Sequence, residues 1–191
     1  MNIIDRSAVK LARSIRKHHP EAASEQALTY SLIMTINTVS AAVVSLLICA
    51  LTGHLKEVLL VMLFYSLVRY FGGGAHLSSS LSCNILTIMI LSGLAHVQFD
   101  YLYLGVIFDI VSITVFLLLA PQGIENVSRV DSKYYPLLKI ICILIIASNF
   151  YFQLPYISAA FLLQSFFITP FSYKLIEILE RRGNFNETQS S

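Results

Sequence analysis

Residues 101–120 read YLYLGVIFDIVSITVFLLLA, an unbroken apolar run in which Asp109 is the single charged side chain. A helix of about 20 apolar residues is long enough to cross the hydrocarbon core of a bilayer. Five further apolar stretches lie on either side of this run, at residues 28–52, 55–71, 80–99, 136–153 and 155–179. The pattern predicts an all-α polytopic membrane protein with six transmembrane helices.

The composition of the whole chain points the same way. Of its 191 residues, 56% are hydrophobic and only 13% are charged, whereas a soluble domain carries about 25% charged residues. A water-soluble globule and a disordered chain are therefore excluded. The net charge of +2 is too small to favour nucleic acid as a partner. The cysteines have neither disulfide nor zinc-site spacing, and we expect no cofactor and no metal. They are Cys49, Cys83 and Cys142.

The N-terminal segment, residues 1–26, lacks the apolar core of a signal peptide. Ile4, Ala8, Leu11 and Ile15 follow one another at helical spacing, and basic residues occupy the remaining positions. This pattern predicts an amphipathic helix at the cytoplasmic interface, attracted by anionic lipid. A solvated basic tail is the alternative. Residues 27–180 would form the membrane domain, and residues 181–191 a cytoplasmic tail.

The basic residues also predict the orientation, because cytoplasmic loops of membrane proteins are enriched in Lys and Arg. With the N-terminus inside and six spans, every one of the 13 Lys and Arg residues except Lys56 falls on the cytoplasmic side. Both termini are therefore expected in the cytoplasm. The loop at residues 70–80 is expected on the same side.

One polar segment stands out, residues 69–83, which read RYFGGGAHLSSSLSC. His76 and Cys83 suggest a base and a nucleophile, because an imidazole beside a thiol raises its thiolate fraction. Seven residues rise about 10.5 Å along a helix, so the pair can meet only if His76 lies on a loop that folds back. The three preceding glycines permit such a fold.

The serines after His76 predict where the next helix starts. Ser78, Ser79 or Ser80 can cap it, which places Cys83 in its first turn or just beyond, where the helix dipole favours a thiolate. Backbone N–H groups there, or those of the glycines, could form an oxyanion hole. The alternative is a Cys that fills apolar space and a His that contacts headgroups. Space filling is what we expect of Cys49 and Cys142.

The string Arg-x-x-Gly-Gly-Gly-x-His, followed seven residues later by Cys, resembles the accessory gene regulator B (AgrB) family. These are membrane cysteine endopeptidases of Gram-positive bacteria that process the precursor of a quorum-sensing peptide. The length, the basic N-terminus, the six stretches and Ala120-Pro121 are also similar. The resemblance implies that Cys83 is the nucleophile and His76 the base. Arg69 and Gly74 match the motif's flanking positions, and we expect substrate binding or oxyanion support from Arg69, Gly73, Gly74 and Ser79.

The resemblance further implies a bacterial cell-membrane peptidase domain at residues 27–180, with its active site at the cytoplasmic face. Its partner would be a propeptide with an amphipathic leader and an acidic C-terminal tail. Cys83 would cleave off the tail through an acyl thioester, which leads to a cyclic thiolactone or lactone peptide. A homodimer is also implied. Residues 123–133 depart from the family, in which this segment is often more basic.

The sequence leaves several candidates for the residue that orients the imidazole of His76. Asp109 is a candidate because a charge inside a span is costly and often functional. A packing hydrogen bond is its alternative role. Arg69 would bind a substrate carboxylate or reach lipid phosphate. A transporter whose path includes Asp109 and a non-catalytic scaffold remain competing interpretations. Other candidates for the orienting role are Glu125, Asp131, Asn84 and the serines at 78–82.

Overall fold

The computed structural model describes residues 3–75, 77, 79–123 and 131–189. The chain is 83% helical, and no β-strand occurs within the described ranges, so the all-α prediction is confirmed. The α-helices within these ranges are α1 (Ile3–His18), α2 (Glu25–Leu51), α3 (Leu55–Gly72), α4 (Ser80–Ala95), α5 (Val106–Leu119), α6 (Tyr135–Ala147), α7 (Asn149–Phe152), α8 (Pro155–Phe167) and α9 (Pro170–Gln189). A π-helical turn, Tyr101–Gly105, precedes α5, and a 3-10 turn, Ser132–Tyr134, precedes α6.

The chain divides into two compact units. The first unit comprises Met1–Gly53 and Leu77–Ser92, and the second comprises His54–His76 and Gly93–Ser191. The first unit therefore holds α1, α2 and most of α4. The second holds α3 and every helix from α5 onward.

In the first unit, α1 packs against α2 and buries Ala8 and Ala12 completely. The turn between the helices is closed by Arg16, whose Nη1 donates to the carbonyls of Ala22 and Ala23 at 3.1 Å. The amphipathic helix predicted for this segment is thus formed. Leu11, on the predicted apolar face, is 47% exposed, whereas Ala12, which the spacing did not include, is buried against α2. The interfacial location of α1 stays a prediction.

In the second unit, α8 lies at the centre and packs against α3, α5 and α9. Its sequence, PYISAAFLLQSFF, has no charged residue, so nearly every face can be buried. The buried side chains of α8 are Ile157, Ser158, Ala160, Phe161, Gln164, Ser165 and Phe167. Two of the polar ones, Ser158 and Gln164, organise the networks described below.

Several helices are long and apolar enough to cross a membrane, which supports a membrane protein. Within the described residues these are Glu25–Leu51, Tyr101–Leu119 and Ser132–Phe152. A fourth results if Pro155–Phe167 and Pro170–Leu179, which are bent by 72°, count as one span. The predicted stretch at 55–71 is helical too, and the stretch at 80–99 is helical as far as Ala95. However, α3 carries three charged residues and α4 has only 16 residues. The six-span count and the cytoplasmic termini stay predictions.

Candidate functional site: a clamped glycine loop and a capped cysteine helix

Arg69, in the last turn of α3, holds the glycine loop, residues 72–75, which follows directly. Its Nη2 donates to the carbonyl of Ala75 at 2.7 Å, and its Nη1 donates to Oε1 of Gln164 at 3.2 Å. The guanidinium carbon lies 5.6 Å from the centre of the Phe167 ring, within the range of a cation–π contact. The described contacts of Arg69 therefore tie the far end of the loop to α8.

Gln164 supplies the other half of this arrangement. Its Nε2 donates to the carbonyl of Gly73 at 2.6 Å, while its Oε1 accepts from Arg69. The side chain is fully buried, where an amide without partners would be strongly unfavourable. Sequence reasoning missed this residue. The available signal was a single amide within a helix that has no charged residue. We call Arg69, Gln164 and the loop they hold the Arg69 clamp.

The backbone of the loop is bonded as well. Gly74 N donates to Gln122 O at 3.0 Å, and Gln122 N donates back to Gly72 O at 3.0 Å. Ala75 N donates to Phe167 O at 2.8 Å. That carbonyl is free to accept because α8 ends there, and the last carbonyls of a helix have no donor within it.

Gly74 shows why this loop is rich in glycine. Its φ of +131° is a conformation that residues with a side chain rarely adopt,. A Cβ atom there would lie 3.1 Å from Nε2 of Gln164 and 3.3 Å from Nη1 of Arg69. Gly73 has a φ of +73° and donates its N–H to Arg69 O at 2.9 Å. Because both N–H groups are bonded, these glycines have a clear positioning role, and their support of an oxyanion stays a prediction.

The start of α4 is capped as the serine pattern predicts. Ser79 Oγ accepts from the N–H of Ser82 at 3.4 Å, and Cys83 N donates to Ser79 O at 3.0 Å. Cys83 therefore lies at the end of the first helical turn. It is partly exposed, whereas Cys49 and Cys142 are buried. Cys83 is thus the least buried of the three cysteines.

Hydrogen bonds within the first unit hold α4 in place. Ser80 Oγ donates to Oδ1 of Asp5 at 2.6 Å. Asn84 Nδ2 donates to Oγ of Ser40 at 2.7 Å and to the carbonyl of Asn37 at 3.0 Å. Asn84 was a candidate for orienting the imidazole, and its described bonds instead join α4 to α2.

His76 lies outside the described residues, as do Ser78, Glu125 and Arg129. Cys83 belongs to the first unit, and Arg69 with the glycine loop belongs to the second. The pairing of His76 with Cys83 therefore stays a prediction.

Asp109 is fully buried in α5 and belongs to a second polar network. Its Oδ2 accepts from the hydroxyl of Tyr101 and from Nδ2 of Asn149, both at 3.0 Å. Nδ2 of Asn149 also contacts Ser158 Oγ at 2.8 Å. We call these four residues the Asp109 network. Oδ1 of Asp109 has no hydrogen-bond partner among the described residues.

This network organises the break between α7 and α8. Asn149 Oδ1 accepts from Leu154 N at 3.1 Å, across a turn in which Gln153 has a φ of 54°. A ring of Phe116 packs beneath Gly72, and Asp109 lies seven residues before it, about 10 Å along α5. The described bonds of Asp109 are thus packing bonds away from the glycine loop. Its role as an orienting acid stays a prediction.

An apolar groove of about 590 Å³ runs between α5 and α8. Its lining includes Phe108, Val111, Leu162 and Phe166, and Asp109 is not among the lining residues. The groove therefore gives the buried acid no path to solvent.

The comparisons with known proteins bear on this arrangement directly. The family model described as Accessory gene regulator B matches residues 8–173. The match covers most of the chain, including Arg69, the glycine loop, His76 and Cys83. Comparison with curated proteins and with solved structures gives no match.

Proposed function

Because the chain belongs to the accessory gene regulator B family, we propose that it is a membrane-embedded cysteine endopeptidase with Cys83 as nucleophile and His76 as base. The family takes part in quorum-sensing peptide processing and is a family of processing proteases. The observation that carries the proposal is the family match over the segment that holds Arg69, the glycine loop, His76 and Cys83.

The proposed substrate is a propeptide with an amphipathic leader, a central segment with its own Cys or Ser, and an acidic C-terminal tail. The Cys83 thiolate attacks the carbonyl that joins the central segment to the tail. His76 accepts the thiol proton and passes it to the leaving amine as the C–N bond breaks. The products of this step are the free tail and an acyl thioester on Cys83.

Ring closure completes the proposed reaction. The side chain of the substrate's own Cys or Ser attacks the thioester, a cyclic thiolactone or lactone forms, and the Cys83 thiol is regenerated. Exchange of one thioester for another is nearly isoenergetic, so a thiolactone requires no ATP. Water must be kept out, because hydrolysis would release a linear peptide. A site at the cytoplasmic surface of the cell membrane would limit access of water.

Two sets of described contacts support these assignments. One holds the residue before His76, and the other caps the helix that carries Cys83. Ala75, the residue before His76, is bonded at its carbonyl by Arg69 and at its N–H by Phe167 O. Ser79 caps the helix that carries Cys83. Catalytic groups need such fixed neighbours, because a misplacement of about 1 Å lowers the rate of reaction strongly.

Co-expression with the cognate propeptide tests the proposal. Cys83→Ala and His76→Ala should each abolish release of the acidic tail, measured by mass spectrometry of whole cells. Cys49→Ala and Cys142→Ala are the matched controls and should release it at close to the normal rate. Normal tail release by Cys83→Ala would rule out the proposed mechanism.

A further inference from the structure

Gln164 connects two residues of the Arg-x-x-Gly-Gly-Gly-x-His motif that are distant from it in sequence. Its amide accepts from Arg69, 95 residues away, and donates to Gly73, 91 residues away. One side chain thus bonds both the residue that starts the motif and the loop that leads to His76.

The fit between Gln164 and the loop is close. The amide nitrogen lies 3.1 Å from the position that a Cβ of Gly74 would occupy, so the missing side chain of Gly74 makes room for it. The side chain of Gln164 is fully buried in α8. A buried amide with both of its ends bonded has little freedom to move, and the loop carbonyl it holds is fixed with it.

We propose that Gln164 is a positioning residue for the peptidase reaction, which acts by fixing the glycine loop and thereby the residue that follows it, His76. This inference rests on the proposed function, in which His76 is the base. Gln164 does not touch the substrate in this account. It acts by holding the glycine loop in position.

Glutamine meets both requirements, a donor to Gly73 and an acceptor for Arg69, where the three closest replacements do not. Glutamate keeps an acceptor for Arg69 but loses the donor to the carbonyl of Gly73. Leucine has a similar volume and loses both bonds. Asparagine is shorter by one methylene group, so it cannot reach both partners from the same backbone position.

The test uses full-length protein in detergent with a synthetic propeptide. Gln164→Leu should lower kcat for tail release by about tenfold or more, the scale of one to two lost buried hydrogen bonds, with KM changed less than threefold. The kcat of Gln164→Glu should lie between that of the unsubstituted protein and that of Gln164→Leu. The matched control is Ser165→Ala, a neighbour that is equally buried but bonds only the carbonyl of Phe161 in its own helix, at 2.8 Å. It should keep its normal kcat.

The pH dependence separates positioning from a general loss of structure. Ordinary thiols ionise without help above about pH 8. The rate deficit of Gln164→Leu should therefore shrink from pH 7 to pH 9, because a misplaced base matters less there. The alkylation rate of Cys83 by iodoacetamide, in a Cys49→Ala, Cys142→Ala background, should show the same trend.

Two results would overturn the inference. One is a normal kcat in Gln164→Leu while Cys83→Ala is inactive. That result would support the peptidase function and show that Gln164 has no role in it. The other is an equal rate deficit at every pH, which indicates loss of folded protein. Tail release by Cys83→Ala is a different failure, because it removes the peptidase function itself.

Discussion

The second unit contains two buried polar networks that share helix α8 and differ in what they hold. In the Arg69 clamp, side chains bond the backbone carbonyls of a loop, those of Gly73 and Ala75. In the Asp109 network, side chains bond mainly each other and close the turn between α7 and α8. The first network fixes the segment before His76. The second fixes the packing of helices.

The comparison shows that a buried charge does not by itself mark the functional site. Asp109 is the more conspicuous residue in the sequence, since it lies alone in an apolar run. Yet its described partners are Tyr101 and Asn149, whereas the motif residue Arg69 contacts the loop itself. Substitutions in the clamp should therefore change the rate of processing. Substitutions in the Asp109 network should change mainly the stability.

The largest effect on the rate of tail release is expected from substitution of Arg69. Arg69→Leu leaves the carbonyl of Ala75 and the amide of Gln164 without their donor, and tail release should fall by about 100-fold or more, as two charged hydrogen bonds are lost. Arg69→Lys should rescue little, because a single ammonium cannot replace a planar fork with two donors. Initial rates of tail release measure both variants.

Lys139→Leu is the control for the Arg69 variants. Lys139 is a partly exposed cation that donates to one carbonyl, that of Leu117, at 2.7 Å. Its loss should leave tail release nearly unchanged. Full activity in Arg69→Lys would show that a positive charge alone is needed at residue 69. It would contradict the claim that the two donors of the guanidinium hold the loop.

A smaller effect is expected from Gly74→Ala. The added Cβ would press on Gln164 and Arg69 at a φ of +131°, so the loop must shift, and tail release should fall by about tenfold for a strain of roughly 1–3 kcal/mol. Gly93→Ala is the matched control, because a Cβ there would meet no atom within 4 Å apart from its chain neighbours and the backbone of its own helix. If both variants process the propeptide equally well, the loop is not held as tightly as described.

The smallest effect on processing is expected from Asp109. Asp109→Leu removes the acceptor of two buried donors, so Tm should fall by about 5 °C or more, since each unsatisfied group costs roughly 1–3 kcal/mol. Asp109→Asn keeps one acceptor oxygen and should lower Tm less. Tail release per folded molecule should stay near normal in both. Selective loss of processing in Asp109→Asn at unchanged Tm would instead support Asp109 as the orienting acid.

The sequence predicted those parts of the structure that depend on local chemistry. Each of the six apolar stretches is helical over most of its length, and Ser79 caps the helix of Cys83. In both cases the signal, an apolar run or a serine at a helix start, acts within a few residues.

The parts that escaped prediction depend on contacts between distant residues. Gln164 meets Arg69 only because α8 packs on α3, and one sequence gives no sign of that pairing. The burial of Ala12 was not predicted, because periodicity identifies an apolar stripe on α1 but not the neighbouring helix that covers part of its surface. Packing on α2 selects Ala8 and Ala12, whose small side chains let the two helices approach closely.

The central claim is that Cys83 forms a thioester with the propeptide, and peptide mass mapping of an acid-quenched reaction tests it most directly. Purified protein and synthetic propeptide should yield a fragment with Cys83 that carries the mass of the leader and central segment. Neutral hydroxylamine should remove this mass, and Cys83→Ala should not acquire it. Release of the tail with no adduct on Cys83 at any time point, or with the adduct on Cys49 or Cys142, would contradict the account.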